Sequence, residues 1–304
     1  MLATRLATGL TLVAVLIAIL VIDEWLAPWF PLWFVASLVV LTLCALEVVG
    51  LLAASGNRPA TSTVVGGILA MVVANWVPHL VAPVLGDGEL IPIPPYNPSA
   101  AINVMAWPLW TFVAILMATF LSQSLTFRQP GATMTTIAAT TLALAYVGLL
   151  GGFIVQFRWL EGPYHGLVPL TMLFATAKGS DIGAYTVGRI AGRTKLWPNL
   201  SPNKTIEGAT GGLAFGILAA LAVSILAKYA LHAPSLGWGE TVIFGLVVAL
   251  MAQLGDLMES MIKRDSERKD ASSAVPGFGG LLDVLDSLLF AAPVAYGLWV
   301  WFSL

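Results

Sequence analysis

The chain has 304 residues, a formal net charge of −2, 58% hydrophobic residues and a mean hydropathy of +0.89; only 10% of its residues are charged. That composition lies outside the range of soluble globular domains. A single cysteine, Cys44, excludes disulfides and thiolate metal clusters.

In chain order, continuous apolar runs predict nine membrane helices over about residues 7–22, 30–52, 64–85, 102–122, 132–156, 166–188, 209–230, 241–258 and 284–303. The expected fold is an all-α, polytopic helical membrane protein, since a β-barrel needs short alternating segments. Residues 1–160 read as a scaffold of N-terminal helices and 161–304 as a catalytic region. The first run follows Arg5 and leads into "VIDEWLAPWF", which offers no small-x-small cleavage site, so it reads as an anchor. Spans two and three carry Glu47, Asn75 and His79, which read as interhelical hydrogen-bonding groups, with intramembrane function as the alternative. The segment "GDGELIPIPPYNPSA" (86–100) reads as an outer loop.

The second half is richer in chemistry. Span six, "TMLFATAKGSDIGAYTVGRI", places Lys178 and Asp181 three residues apart on one helical face. The loop "GRTKLWPNLSPNKTIEGATGG" is basic and holds Ser201, Asn203, Lys204 and Glu207 in a tight row. Span eight ends "MAQLGDLMESMIKRDSERKD", with Asp256, Glu259 and Lys263 at i, i+3 and i+7 along one stripe. The last span opens with Asp283 and Asp286 after "PGFGG", whose backbone N–H groups, if free, suit an anionic oxygen.

With nine spans and a cytoplasmic N-terminus, Arg5, Arg58, Arg128, Arg189, Arg193, Lys195, Lys204, Lys263, Arg264, Arg268 and Lys269 all fall inside, and only Arg158 and Lys228 outside. The polar clusters then gather at the cytoplasmic leaflet. Carboxylates on facing helices suit a hard divalent cation such as Mg²⁺, and neighbouring lysines suit phosphate. Spacing alone leaves two readings open: a metal-dependent enzyme joining a polyphosphate to a lipid, and an ion-coupled transporter.

Residues 256–287 resemble the signature of the phosphatidate cytidylyltransferases, or CDP-diacylglycerol synthases. Ser260, Lys263, Arg264, Lys269, Asp270, Pro276, Gly277, Gly279, Gly280, Asp283 and Asp286 occupy the pattern's positions. The stretches "SPNKTIEG" and "SDIGAY" are also similar to the family's, and the resemblance covers about residues 168–300. Phe278 stands where the family often has His and Val284 where it usually has Arg. The first departure implies a conformational role for that position, the second the loss of one phosphate or nucleotide contact.

The resemblance implies transfer of CMP from CTP to phosphatidate at the cytoplasmic side of a cell inner membrane. It implies Mg²⁺ on Asp256 and Asp283, with Asp286 and Asp181 also in the shell, and admits a second, monovalent cation. Lys263, Arg264 and Lys269 are then expected on the triphosphate, with Gly279 and Gly280 also binding substrate, and Lys204 and Ser201 on the lipid head group. Asp256, Asp283 and Lys263 carry the catalytic expectation. The expected partners are CTP, the lipid and the membrane, with a homodimer admitted and nucleic acid not among them. Another CTP-dependent lipid kinase or nucleotidyltransferase is the nearest alternative.

Overall fold

The fold is that of a computed structural model, which describes residues 2–27, 29–85, 98–128, 130–160, 166–233 and 235–303; for 2–6, 81–85 and 98–103 it describes the backbone alone. Its helices are α1 (Leu2–Glu24), α2 (Pro31–Ala54), α3 (Thr61–Leu85), α4 (Pro98–Thr126), α5 (Thr133–Ala143), α6 (Leu150–Gln156), α7 (Leu167–Ala191), α8 (Ile206–Ile225), α9 (Trp238–Asp265) and α10 (Leu282–Phe302). A wider π-helical turn, Leu144–Leu149, joins α5 to α6 into one continuous span, and another, Leu226–Ala230, extends α8. The expected loop at 86–100 lies outside the described residues as far as 97, and its last three residues open α4.

Among the described residues, eight helices are long and apolar enough to cross a membrane: α1 to α4, α5 with α6, and α8 to α10. The ninth expected span is α7, whose 25 residues rise about 37 Å at 1.5 Å each. Lys178 and Asp181 sit in it, which lowers its apolar character while leaving its length sufficient.

The helices sort into two compact units. The first contains the chain through the end of α3 with Ile102–Gln156 and Ile262–Val284. Small residues let its helices approach closely. A Cβ on Gly67 would lie 2.5 Å from Leu144, and one on Gly151 would lie 2.7 Å from Leu41. Polar groups close the remaining gaps: Trp33 Nε1 donates to the Val155 carbonyl at 3.1 Å, and Gln156 Nε2 to Asn75 Oδ1 at 3.0 Å. His79 Nε2 lies 3.4 Å from Gln156 Oε1, so Asn75 and His79 both make interhelical hydrogen bonds. At the start of α2, the Asp23 carboxylate accepts from the N–H groups of Leu32 and Trp33 at 3.0 and 2.8 Å. Those are donors that a helix N-terminus leaves without intrahelical partners.

The second unit contains Phe157–Met261 and Leu285–Leu304. Its centre is the α7–α8 pair, packed along a glycine seam. A Cβ on Gly211 would lie 2.5 Å from Val187, and one on Gly179 2.8 Å from the Ala219 Cβ. The helix α9 packs against the same pair, where a Cβ on Gly216 would lie 2.5 Å from the Ala249 Cβ. Between α7 and α8 the chain forms an antiparallel hairpin, β1 (Lys195–Trp197) and β2 (Ser201–Thr205), where the sequence reads only as a basic loop.

Candidate active site

The second unit holds a cleft of about 420 Å³ lined by α7, β2, the start of α8, and α9. Local chemistry explains how the hairpin enters its wall. Glu207, in the first turn of α8, accepts from the backbone N–H of Arg193 and Thr194 at 3.0 and 3.1 Å and closes the hairpin's base. Thr205 Oγ1 accepts from the Gly208 N–H at 3.1 Å and caps α8. A Cβ on Gly192 would lie 2.7 Å from that same hydroxyl, so only glycine lets α7 end this close to the cap. Lys204, one residue before the cap, then reaches across to α9, its Nζ 2.8 Å from Asp256 Oδ2.

Asp256 belongs to a denser cluster. Carboxylate oxygens of Asp256 and Glu259 on α9 and of Asp286 on α10 all lie within 4.8 Å of one another, with Glu259 and Asp286 buried. Ser260 Oγ stands 3.4 Å from Asp256 Oδ1. On α7, Lys178 Nζ donates to Asp181 Oδ2 at 3.1 Å and to Ser287 Oγ at 2.9 Å. Gln253 Nε2 ties α9 to α7 and α8 through Ser180 Oγ at 3.1 Å and the Ala209 carbonyl at 3.0 Å. Like charges this close repel, and burial raises that cost, so a grouping of this kind is stabilised by cations. Three converging hard oxygen donors, one of them on the cleft wall, fit the ligand preferences of Mg²⁺.

The first unit holds the other part of the signature. Lys263 Nζ pairs with Asp283 Oδ1 at 2.6 Å, both side chains largely buried. Asp283 Oδ2 accepts from the Gly280 N–H at 2.6 Å and the Ala271 N–H at 2.9 Å. "VPGF" forms a tight turn, with the Phe278 N–H donating to the Val275 carbonyl at 3.1 Å and Gly277 at φ +86°. Pro followed by a positive-φ Gly is what a type II turn requires. The expectation of free N–H groups here is corrected by this geometry. The N–H groups of Phe278 and Gly279 donate to the Val275 carbonyl, that of Gly280 to Asp283, and those of Leu281 and Leu282 to Glu47. The Phe278 ring lies against α1, 3.5 Å from where a Cβ on Gly9 would stand.

The expected site residues therefore fall into two groups, each brought together within its own unit. Asp181, Lys204 and Asp256 line the cleft, with Asp286 joining Asp256 in the carboxylate cluster. Lys263 and Asp283 are joined to each other beside Gly279 and Gly280. Arg264 and Lys269 are exposed, Arg264 donating to the Arg268 carbonyl at 3.3 Å. Ser201 opens β2, paired across the hairpin with Trp197, and is not among the residues lining the cleft. The sequence reading missed Tyr185, Arg189, Asn203 and Gln253 as cleft residues, and gave Glu259 a place on the stripe but no role. The signal for Gln253 was present: it stands three residues before Asp256 on the polar stripe of an otherwise apolar helix.

Residues 3–302 match the cytidylyltransferase family. The phosphatidate cytidylyltransferase of Bacillus subtilis (strain 168) is 34% identical over 195 residues, covering 63% of this chain and 67% of the relative. That of Synechocystis sp. is 35% identical over 197 residues, covering 57% and 65%. That of Staphylococcus aureus (strain COL) is 39% identical over 153 residues, covering 50% and 55%. The chain thus spans about half to two thirds of the length of these relatives. Matched along nearly its whole length and carrying the signature residues in a membrane-helical fold, the chain belongs to the cytidylyltransferase family.

Proposed function

We propose that the protein is a phosphatidate cytidylyltransferase, converting CTP and phosphatidate to CDP-diacylglycerol and pyrophosphate at the cytoplasmic leaflet of a cell inner membrane. The observation that carries the reading is the cleft in which Lys204 and Asp256 face each other beside the Asp256–Glu259–Asp286 carboxylates. A phosphatidate oxygen attacks the α-phosphorus of CTP. The bridging bond to the β-phosphate breaks, and its electron pair leaves with pyrophosphate. The nucleophile is already an anion, so the chain supplies position and charge rather than a strong base.

Asp256, Glu259 and Asp286 would hold Mg²⁺, with Asp181 nearby on the cleft wall. When bound, the ion supplies neutralisation of phosphate charge. Lys204 binds an anionic phosphate at the cleft, and Ser201 serves the head group from the same hairpin. The resemblance implies Lys263, Arg264 and Lys269 on the triphosphate and Asp283 as a metal ligand; Gly279 and Gly280, whose N–H groups are taken by Val275 and Asp283, shape the turn before α10.

Purified protein given phosphatidate vesicles, labelled CTP and Mg²⁺ should yield a labelled lipid and pyrophosphate, and a chelator should stop both. Release of CDP with a phosphorylated lipid would identify a kinase instead. Solute uptake without nucleotide turnover would identify a transporter.

A further inference from the structure

Glu47 sits in α2, more than 200 residues before the signature, and the reaction outlined above has no use for it. Its carboxylate nevertheless gathers three donors from one short stretch. Ser272 Oγ donates to Oε1 at 2.6 Å, the Leu281 N–H to Oε1 at 3.0 Å and the Leu282 N–H to Oε2 at 2.7 Å. Leu282 is the first residue of α10. A carboxylate at that point satisfies N–H groups that the helix cannot, and lies at the positive end of its dipole. An aspartate or serine within the segment usually does this work; here a distant helix does it.

We propose that Glu47 is a positioning residue for the reaction: it clamps the glycine turn and the first turn of α10, and so fixes where Asp283 stands. Asp283 follows Leu282 directly, and its Oδ2 is held by the Gly280 N–H, in the residue just before the clamped backbone. Gly280 is part of the same fit, because a Cβ there would lie 2.5 Å from Glu47 Oε2. A second tie runs parallel, Ser266 Oγ donating to the Leu51 carbonyl one turn along α2 at 2.8 Å. The helix α2 is thereby a seat for the segment that follows α9. This inference rests on the proposed reaction only in its activity readout; the clamp is a statement about structure.

The experiment compares Glu47→Gln, Gly280→Ala and the double variant in detergent micelles, by hydrogen exchange and by the lipid-product assay. Glutamine keeps the shape but turns one acceptor into a donor facing an N–H. Amide exchange at Leu281 and Leu282 should rise about tenfold, with melting temperature nearly unchanged. The kcat should fall on the order of 10- to 100-fold, with a smaller change in KM for CTP, because the loss is of alignment. The double variant should be no worse than the poorer single one, since both disturb one contact. Unaltered exchange in Glu47→Gln overturns the clamp, as do multiplicative effects in the double variant. A wild-type protein that makes no labelled lipid would overturn the proposed reaction, and exchange would still decide the clamp.

Discussion

Asp256 is shared by two features of the second unit, the ion pair with Lys204 and the carboxylate cluster. The pair's exposure separates a catalytic role from a structural one. Lys204 and Asp256 side chains keep 26% and 35% of their accessible surface, so the ion pair is screened by solvent. Its loss should cost stability no more than about 1 kcal/mol. Lys204→Met should therefore unfold within a few degrees of the parent while losing most of its CDP-diacylglycerol formation. Asp256→Asn should keep the fold and lower kcat on the order of 10²–10³-fold, the range seen when a preorganised charge-stabilising group is removed. Thermal melting and the lipid-product assay on the same preparations check both variants. A stable Asp256→Asn enzyme with full activity would remove Asp256 from the chemistry.

At the scale of elements, the α7–α8 pair shows why glycines recur through an apolar chain. In lipid there is little hydrophobic gain from bringing helices together, so close van der Waals approach must hold them. Gly211→Val would drive its side chain into Val187 and should cost about 1–3 kcal/mol, as overpacking does. Gly66→Ala meets nothing within 4 Å and should change stability by no more than about 0.5 kcal/mol. Thermal unfolding in detergent checks the pair, and equal effects would mean that the seam does not hold the helices. The spans themselves were legible because long apolar runs are dictated by the bilayer. The hairpin was not: β1 has three residues and β2 five, with no alternating pattern. It is held by Glu207 from the first turn of α8 rather than by strand propensity. The wider turns at Leu144–Leu149 and Leu226–Ala230 also left no mark in the hydropathy. In the candidate site the charged residues stood out against an apolar background. Glu47 stood out too, as a polar residue within a span, but its partners did not: two of the three are backbone N–H groups far along the chain, and hydrogen bonds to backbone carry no sequence signature.

For the molecule as a whole, orientation in the bilayer is the property that composition sets and local packing refines. Eleven basic residues fall on one side and two on the other when the N-terminus is placed inside. The two exceptions are not ordinary interfacial charges. Arg158 is fully buried, and Lys228 lies 5.8 and 5.4 Å above the rings of Tyr229 and Trp238, where cation–π attraction holds it. The asymmetry is thus sharper than the count. It predicts that the β1–β2 hairpin faces the cytoplasm and the start of α9 the opposite side. The chain suits a labelling test, since its one cysteine, Cys44, is completely buried. Asn199, exposed at the hairpin tip, and Gly239, exposed with nothing within 4 Å of a new Cβ, are the positions to probe. A membrane-impermeant maleimide on intact spheroplasts should label Gly239→Cys and leave Asn199→Cys untouched until the membrane is opened. The parent chain should stay unlabelled throughout. The reverse pattern would put the cleft on the side without CTP, and the proposed reaction could not proceed there.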